Sequence, residues 1–260
     1  MLFLIGNSQA DAAEAAAKIK IPKELPPIKQ KITNYIIALA KGKLVDIINN
    51  PILDTDINNS NIEETAIDLM WRELAFGISD LAKKLTTIDA KVVGNNSHFD
   101  TVIELSSSPS IFEQSTTYSG PFHLAKLLKP LEVELLKRGV INIPAPHNID
   151  EIKWGKFLTD LAKDRPYLWE NHMEAVNTSF LNKGISAILT LPTGAGKSTL
   201  SELKIASCLF SEKHVIYLVP THALEDQVNK NLKALFNSFG SVTTRIPFPP
   251  PPAEALIIIG

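Results

Sequence analysis

Residues 191–199 read LPTGAGKST, a glycine-rich turn that closes on Gly196-Lys197-Ser198. Glycine at 194 and 196 lets the backbone take positive φ and turn successive N–H groups toward one anion. A helix fed by such a loop adds N–H groups without intrahelical partners and the positive end of its dipole, which suits phosphates. Lys197 supplies a point charge for the β- and γ-phosphates, and Ser198 a hydroxyl for the Mg2+ that bridges them. Thr193, Gly194, Ala195, Gly196 and Thr199 complete the candidate nucleotide-binding set. The strict pattern, G-x-x-x-x-G-K-[ST], has a glycine where this chain has Leu191.

Flanking residues make up for that departure. Residues 185–191, ISAILTL, predict a mostly apolar strand, and apolar residues at 200, 203, 206, 209 and 210 predict one face of a helix. A plain glycine-rich turn in an α/β fold is the competing reading. The strand-loop-helix context favours the phosphate loop.

A second constellation follows about thirty residues later. His214-Val215-Ile216-Tyr217-Leu218-Val219 predicts a strand that runs into Pro220-Thr221-His222-Ala223-Leu224-Glu225-Asp226-Gln227, the start of a helix. An ordinary turn with Thr221 as N-cap explains the second stretch equally well.

The pairing of LPTGAGKS with LVPTHALEDQ resembles the superfamily 2 helicases, particularly the DEAD/DEAH-box and Ski-like branches, over residues 165–260. That resemblance implies an ATP-dependent helicase or translocase acting on DNA or RNA. It implies Lys197 as the catalytic lysine, Ser198 as the metal ligand, ATP and Mg2+ as cofactors, and Pro220, Thr221 and His222 as contacts to the nucleic-acid backbone. A hydroxyl and free N–H groups there would hold a phosphate without reading sequence. It also implies an adenine-recognising residue near Tyr167–Val176, usually glutamine; here His172 stands in that place, with one donor and one acceptor on its neutral ring. The acidic signature and the arginine fingers of the family do not occur within these 260 residues. Arginine fingers contribute about 10³–10⁵ in rate, so these residues alone are expected to bind nucleotide and hydrolyse it poorly.

Composition sets the frame. With 45% hydrophobic residues, 21% charged and a net charge of −2, the chain is ordinary globular protein with no global field for nucleic acid or anionic membrane. Any nucleic-acid contact is therefore local. A single cysteine, Cys208, excludes an intrachain disulfide and points to a reducing compartment. The histidines are scattered without zinc spacing. No apolar run reaches the roughly 20 residues of a membrane span, so a soluble cytoplasmic protein is expected.

The expected architecture is α/β: a partial RecA-like P-loop domain with a parallel sheet over residues 151–260, preceded by a mainly helical accessory region over 1–150. Helices are expected over 9–19, 28–48 with a break at Gly42, and from about 61, where Ile67, Met70, Trp71, Leu74, Ile78 and Leu81 share one face. Asn59-Ser60-Asn61 offer its N-cap. Residues 101–105, TVIEL, predict a short strand inside a loop-rich stretch near 95–120. A helix over 122–136 is expected to divide at Pro130, with further helices near 150–163 and 169–182. Strand 185–191, helix 197–210, strand 214–219, helix 223–237 and strand 255–259 then alternate, as a parallel sheet requires. Four prolines within RIPFPPPPAE, residues 245–254, predict a polyproline II connector.

Two other functions compete with the motor: a P-loop ATPase or kinase that does not act on nucleic acid, and a non-catalytic interaction protein. Nucleotide binding separates the last from the first two.

Overall fold

In the computed structural model, described over residues 1–52, 62–88, 97–109, 114–116, 118–191, 196–236, 239, 241–243 and 256–259, the chain forms two units. Met1–Asn142 with Ala162–Tyr167 make the first; Ile143–Leu161 with Leu168–Gly260 make the second.

The first unit is helical. Helices α1 (Leu2–Ile5) and α2 (Gln9–Ala17) lead into α3 (Pro27–Ala40), which starts on a proline at its first turn, where no N–H is needed. Gly42 then adopts φ +68, a conformation that favours glycine between α3 and α4 (Leu44–Ile48), and a Cβ there would sit tightly, 3.3 Å from the ring of Pro166. Helix α5 (Ile62–Lys84) buries Met70, Leu74, Ile78 and Leu81, as its spacing predicts. Each fully buried leucine or isoleucine contributes roughly 1.5–3 kcal/mol. The proposed cap at 59–61 lies outside the described residues.

The strand expected at 101–105 is instead part of helix α6 (His98–Ser106). Ser97 caps it, its hydroxyl accepting from Phe99 N–H at 3.3 Å, and Phe99, Val102 and Ser106 form the buried face. Packing of that stripe on α5 outweighs the β-branched residues. Part of the serine-rich stretch forms an antiparallel pair, β1 (Ser107–Pro109) with β2 (Gln114–Thr116). Helix α7 (Ser119–Lys137) does not divide at Pro130. Pro130 is solvent-exposed, while Leu128 and Leu131 beside it are fully buried, so the packed face carries the helix across the missing hydrogen bond.

Two polar devices fasten this unit. The guanidinium of Arg138, 7% exposed, donates to Leu4 O at 2.8 Å and to Asn7 Oδ1 at 2.5 Å, tying α1 to the end of α7. The ring of His98 bridges two carboxylates of α5, with Nδ1 at 2.6 Å from Glu73 Oε1 and Nε2 at 3.0 Å from Asp80 Oδ2. Tyr167, buried and shifted upward in pKa by that burial, donates to Leu39 O at 3.2 Å.

In the second unit, which holds α8 (Glu151–Asp164) up to Leu161, that helix begins where Asp150 Oδ1 accepts from Lys153 N–H at 2.8 Å. Its residues Trp154 and Phe157 meet Phe210 at the end of α10 (Lys197–Phe210), and Phe157 stacks on Phe236 of α11 (His222–Phe236) at 5.5 Å between centroids and 10° between planes. Such aromatic pairs add about 0.5–1.5 kcal/mol beyond their burial. Between them in sequence, α9 (Glu170–Asn177) precedes α10, and β3 (Val215–Tyr217) precedes α11. Strands β3 and β4 (Ser241–Thr243) each pair in parallel with β5 (Leu256–Ile259), in the order β3-β5-β4.

The strand expected over 185–191 does not form. These residues carry no strand hydrogen bonding, and Ile188 is 95% exposed. A strand exists only in a ladder, and this segment pairs with none of the described residues. The polyproline stretch lies outside the described residues.

Candidate nucleotide and nucleic-acid site

Lys197 and Ser198 open α10, and both are exposed. Gly196, immediately before them, has φ 72 and ψ 28, the left-handed conformation that glycine alone adopts freely. The helix therefore starts abruptly, with Lys197 exposed and Thr199 N–H donating to Gly196 O at 3.0 Å. Thr199 turns inward at 7% exposure. Thr193, Gly194 and Ala195 lie outside the described residues.

Contacts along α10 hold that start in place. Lys204 Nζ donates to Phe180 O at 2.8 Å and to Asn182 O at 2.7 Å, and Ser207 Oγ donates to Leu181 O. These bonds bind α10 to the segment that follows α9. His172 of α9 then meets Gly196: a Cβ on Gly196 would lie 2.5 Å from both Cε1 and Nε2 of the ring. His172 is 2% exposed, stacks on Trp169 at 5.5 Å and 5°, and accepts from Trp169 N–H through Nδ1 at 3.3 Å.

The first turn of α10 also borders the second constellation. Ser198, Ser201 and Glu202 share a narrow cleft of about 40 Å³ with Tyr217 of β3 and with Val228 and Asn231 of α11. Pro220, Thr221 and His222 stand exposed at the junction of β3 and α11. Thr221 Oγ1 accepts from Leu224 N–H at 3.4 Å and so caps α11, and His222 Nδ1 lies 3.1 Å from Glu225 Oε2. The structure thus brings His172 to Gly196 and Ser198 to the face of α11.

Sequence reasoning missed the Trp169–His172 stack and the buried carboxylate of Glu202. Spacing carried a signal for both: positions 169 and 172 are three apart on a helix start, and Glu202 adjoins the apolar stripe of α10. Cys208 is a free, half-buried thiol. Among the described residues, no three His, Cys, Asp or Glu side chains gather as a metal site, and no helix is long and apolar enough to cross a membrane.

Residues 170–247 match the family model of the DEAD/DEAH box helicases. The chain is also 25% identical over 202 residues to the ATP-dependent RNA helicase mtr4 of Schizosaccharomyces pombe, a match covering 76% of this chain and 17% of the relative. It spans only about a sixth of that protein's length. The family match takes in His172, the phosphate-loop residues and the stretch after β3, and over those residues the resemblance to the superfamily 2 helicases is borne out.

Proposed function

We propose that the second unit is the nucleotide-gripping part of an ATP-driven, nucleic-acid-dependent helicase. The observation that carries the proposal is the left-handed turn at Gly196, which opens α10 with Lys197 and Ser198 exposed in its first turn. Lys197 would hold the β- and γ-phosphates and act as the catalytic lysine, Ser198 would hold Mg2+, and Thr193, Gly194, Ala195, Gly196 and Thr199 would form the cradle. Bound Mg2+ would neutralise charge developing on the phosphates. His172 belongs to the same site through its contact with Gly196.

The parallel order β3-β5-β4, with α11 between β3 and β4, supports a RecA-like ATP-binding domain as the setting. Pro220, Thr221 and His222 would meet the sugar-phosphate backbone at the C-terminal end of β3, the edge where open α/β sheets bind ligands. The match to a protein named as an RNA helicase favours RNA over DNA as that strand. Nucleotide closure against a second such domain would move the grip along the strand; the first unit would be an accessory module, in a protein of the cell interior.

Calorimetric titration of the 260-residue chain with Mg-ATP, beside Lys197→Ala, tests the reading. Loss of one phosphate-facing charge is expected to weaken binding by at least about tenfold while unfolding is unchanged, because Lys197 is exposed. Equal affinity in the two proteins would refute it.

A further inference from the structure

Within the first unit, α3, α4 and the turn between them line a cavity of about 440 Å³, in the size range of small-molecule sites. Its floor is apolar. Ala38 and Ile47 are buried there beside the ring of Tyr35, whose hydroxyl is spent on Asn50 O. Its rim is polar and exposed: Lys41 and Lys43 flank the left-handed Gly42, and Asp46, Asn34 and Asn50 complete it. Asn34 lies seven positions before Lys41, about 10 Å along the axis of α3. The cavity therefore has a cationic end and an amide end, with apolar surface between them.

Backbone amides of the turn are closed to an anion, because the N–H groups of Lys41, Gly42 and Lys43 donate to Ile37 O, Leu39 O and Ala38 O. An anion held there depends on the two ammoniums. Among the described residues neither side chain has an ion-pair or hydrogen-bond partner, and neither has the Asp46 carboxylate. Charges on a bare helix face need no partner, but these three rim a recess whose floor is apolar. One kind of molecule matches each part. A ribonucleoside monophosphate carries an anion at one end, ribose hydroxyls that donate to a carboxylate, and at the other end a flat base whose edge holds donors and acceptors for amides.

We propose that this cavity binds one ribonucleoside monophosphate unit, its phosphate at Lys41 and Lys43, its ribose hydroxyls on Asp46, and its base over the apolar floor with the edge toward Asn34 and Asn50. The cavity lies wholly in the first unit and uses no β- or γ-phosphate, so it is a second site beside the one proposed above. The same chemistry reaches it from two sources, a free nucleotide or one nucleotide of an RNA strand.

The test is ligand-observed NMR titration of the 260-residue chain, without Mg2+, with AMP, UMP, dAMP, inorganic phosphate and a single-stranded ribo-oligomer. The variants are K41Q/K43Q, D46N and K197A, all at exposed positions and each checked for an unchanged circular dichroism spectrum. AMP and UMP are expected to bind the unaltered chain and K197A alike, and K41Q/K43Q at least about tenfold more weakly, since both charges facing the phosphate are gone. The missing 2′-hydroxyl is expected to weaken dAMP by about two- to tenfold, a difference that D46N erases. A ribo-oligomer that binds more tightly than AMP, and loses that binding in K41Q/K43Q, identifies the strand as the source; tighter AMP identifies the free nucleotide. Absence of AMP and UMP binding overturns the proposal, and so does inorganic phosphate binding as tightly as AMP. Equal affinity for AMP and dAMP overturns the place given to Asp46. Binding lost in K197A and kept in K41Q/K43Q would move the ligand to the second unit, a result separate from the Mg-ATP titration that tests that unit.

Discussion

Alanine at position 196 would load the junction between α9 and α10 in two separable ways. The first is conformational: a residue with a Cβ at φ 72 and ψ 28 costs about 1–2 kcal/mol relative to glycine. The second is steric, since the new Cβ would stand 2.5 Å from Cε1 and Nε2 of His172. The ring can yield only by leaving the Trp169 stack, worth about 0.5–1.5 kcal/mol, and stretching the Trp169 N–H bond, worth about 1 kcal/mol. Gly196→Ala is therefore expected to destabilise the second unit by about 3–4 kcal/mol. In a His172→Ala background, only the conformational part remains. The coupling in the double-mutant cycle is then about 2 kcal/mol. Urea unfolding followed by tryptophan fluorescence measures it, in a Trp71→Phe background that leaves Trp154 and Trp169 as reporters of the second unit. Additivity within about 0.5 kcal/mol would show that the ring and position 196 do not press on each other.

Protonation of His98 gives the first unit a pH dependence. Burial, the largest single influence, opposes its charge, but the hydrogen bonds and charges of Glu73 and Asp80 outweigh it and raise the pKa above the usual value. A raised folded-state pKa means the added stability is complete below about pH 6.5 and is lost as pH climbs through the folded value, so the first unit unfolds more easily under alkaline conditions. His98→Gln should flatten that dependence in thermal scans across pH, and an unchanged slope would count against the bridge. Pro130→Ala restores an N–H inside a continuous exposed helix face, and a gain of about 1–3 kcal/mol in the unfolding of the first unit is expected; a loss would show that α7 depends on the proline. Thr221→Ala removes the cap of α11 and should cost about 1 kcal/mol, seen as faster hydrogen exchange in the first turn of α11; unchanged exchange would deny the cap.

Local chemistry made some of this molecule readable from its residues. Helix α10 follows from an apolar stripe with a glycine before it, and the break after α3 follows from Gly42, because both signals lie within a few residues of their effects. The segments TVIEL and ISAILTL mislead for a shared reason: β-branched residues favour a strand only where a partner strand exists to pair with. The first segment finds α5 to pack against and becomes α6, with Ser97 to start it. The second has no ladder partner among the described residues. His172 entered the candidate site through the family resemblance. Its orientation was not legible, because that depends on Trp169 behind the ring and on the bonds from Lys204 and Ser207 that set α10 beside it.

A practical lesson for the bench lies in the bare run from 185 to 191. Seven uncharged residues rich in Ile and Leu, without proline, have the makings of a cross-molecular β-zipper once several chains meet at high concentration. Preparations of these 260 residues will foul by sticking to one another before they lose their helices. A charged side chain at Ile188, which touches almost nothing at 95% exposure, is the gatekeeper that would keep them clear in light-scattering measurements.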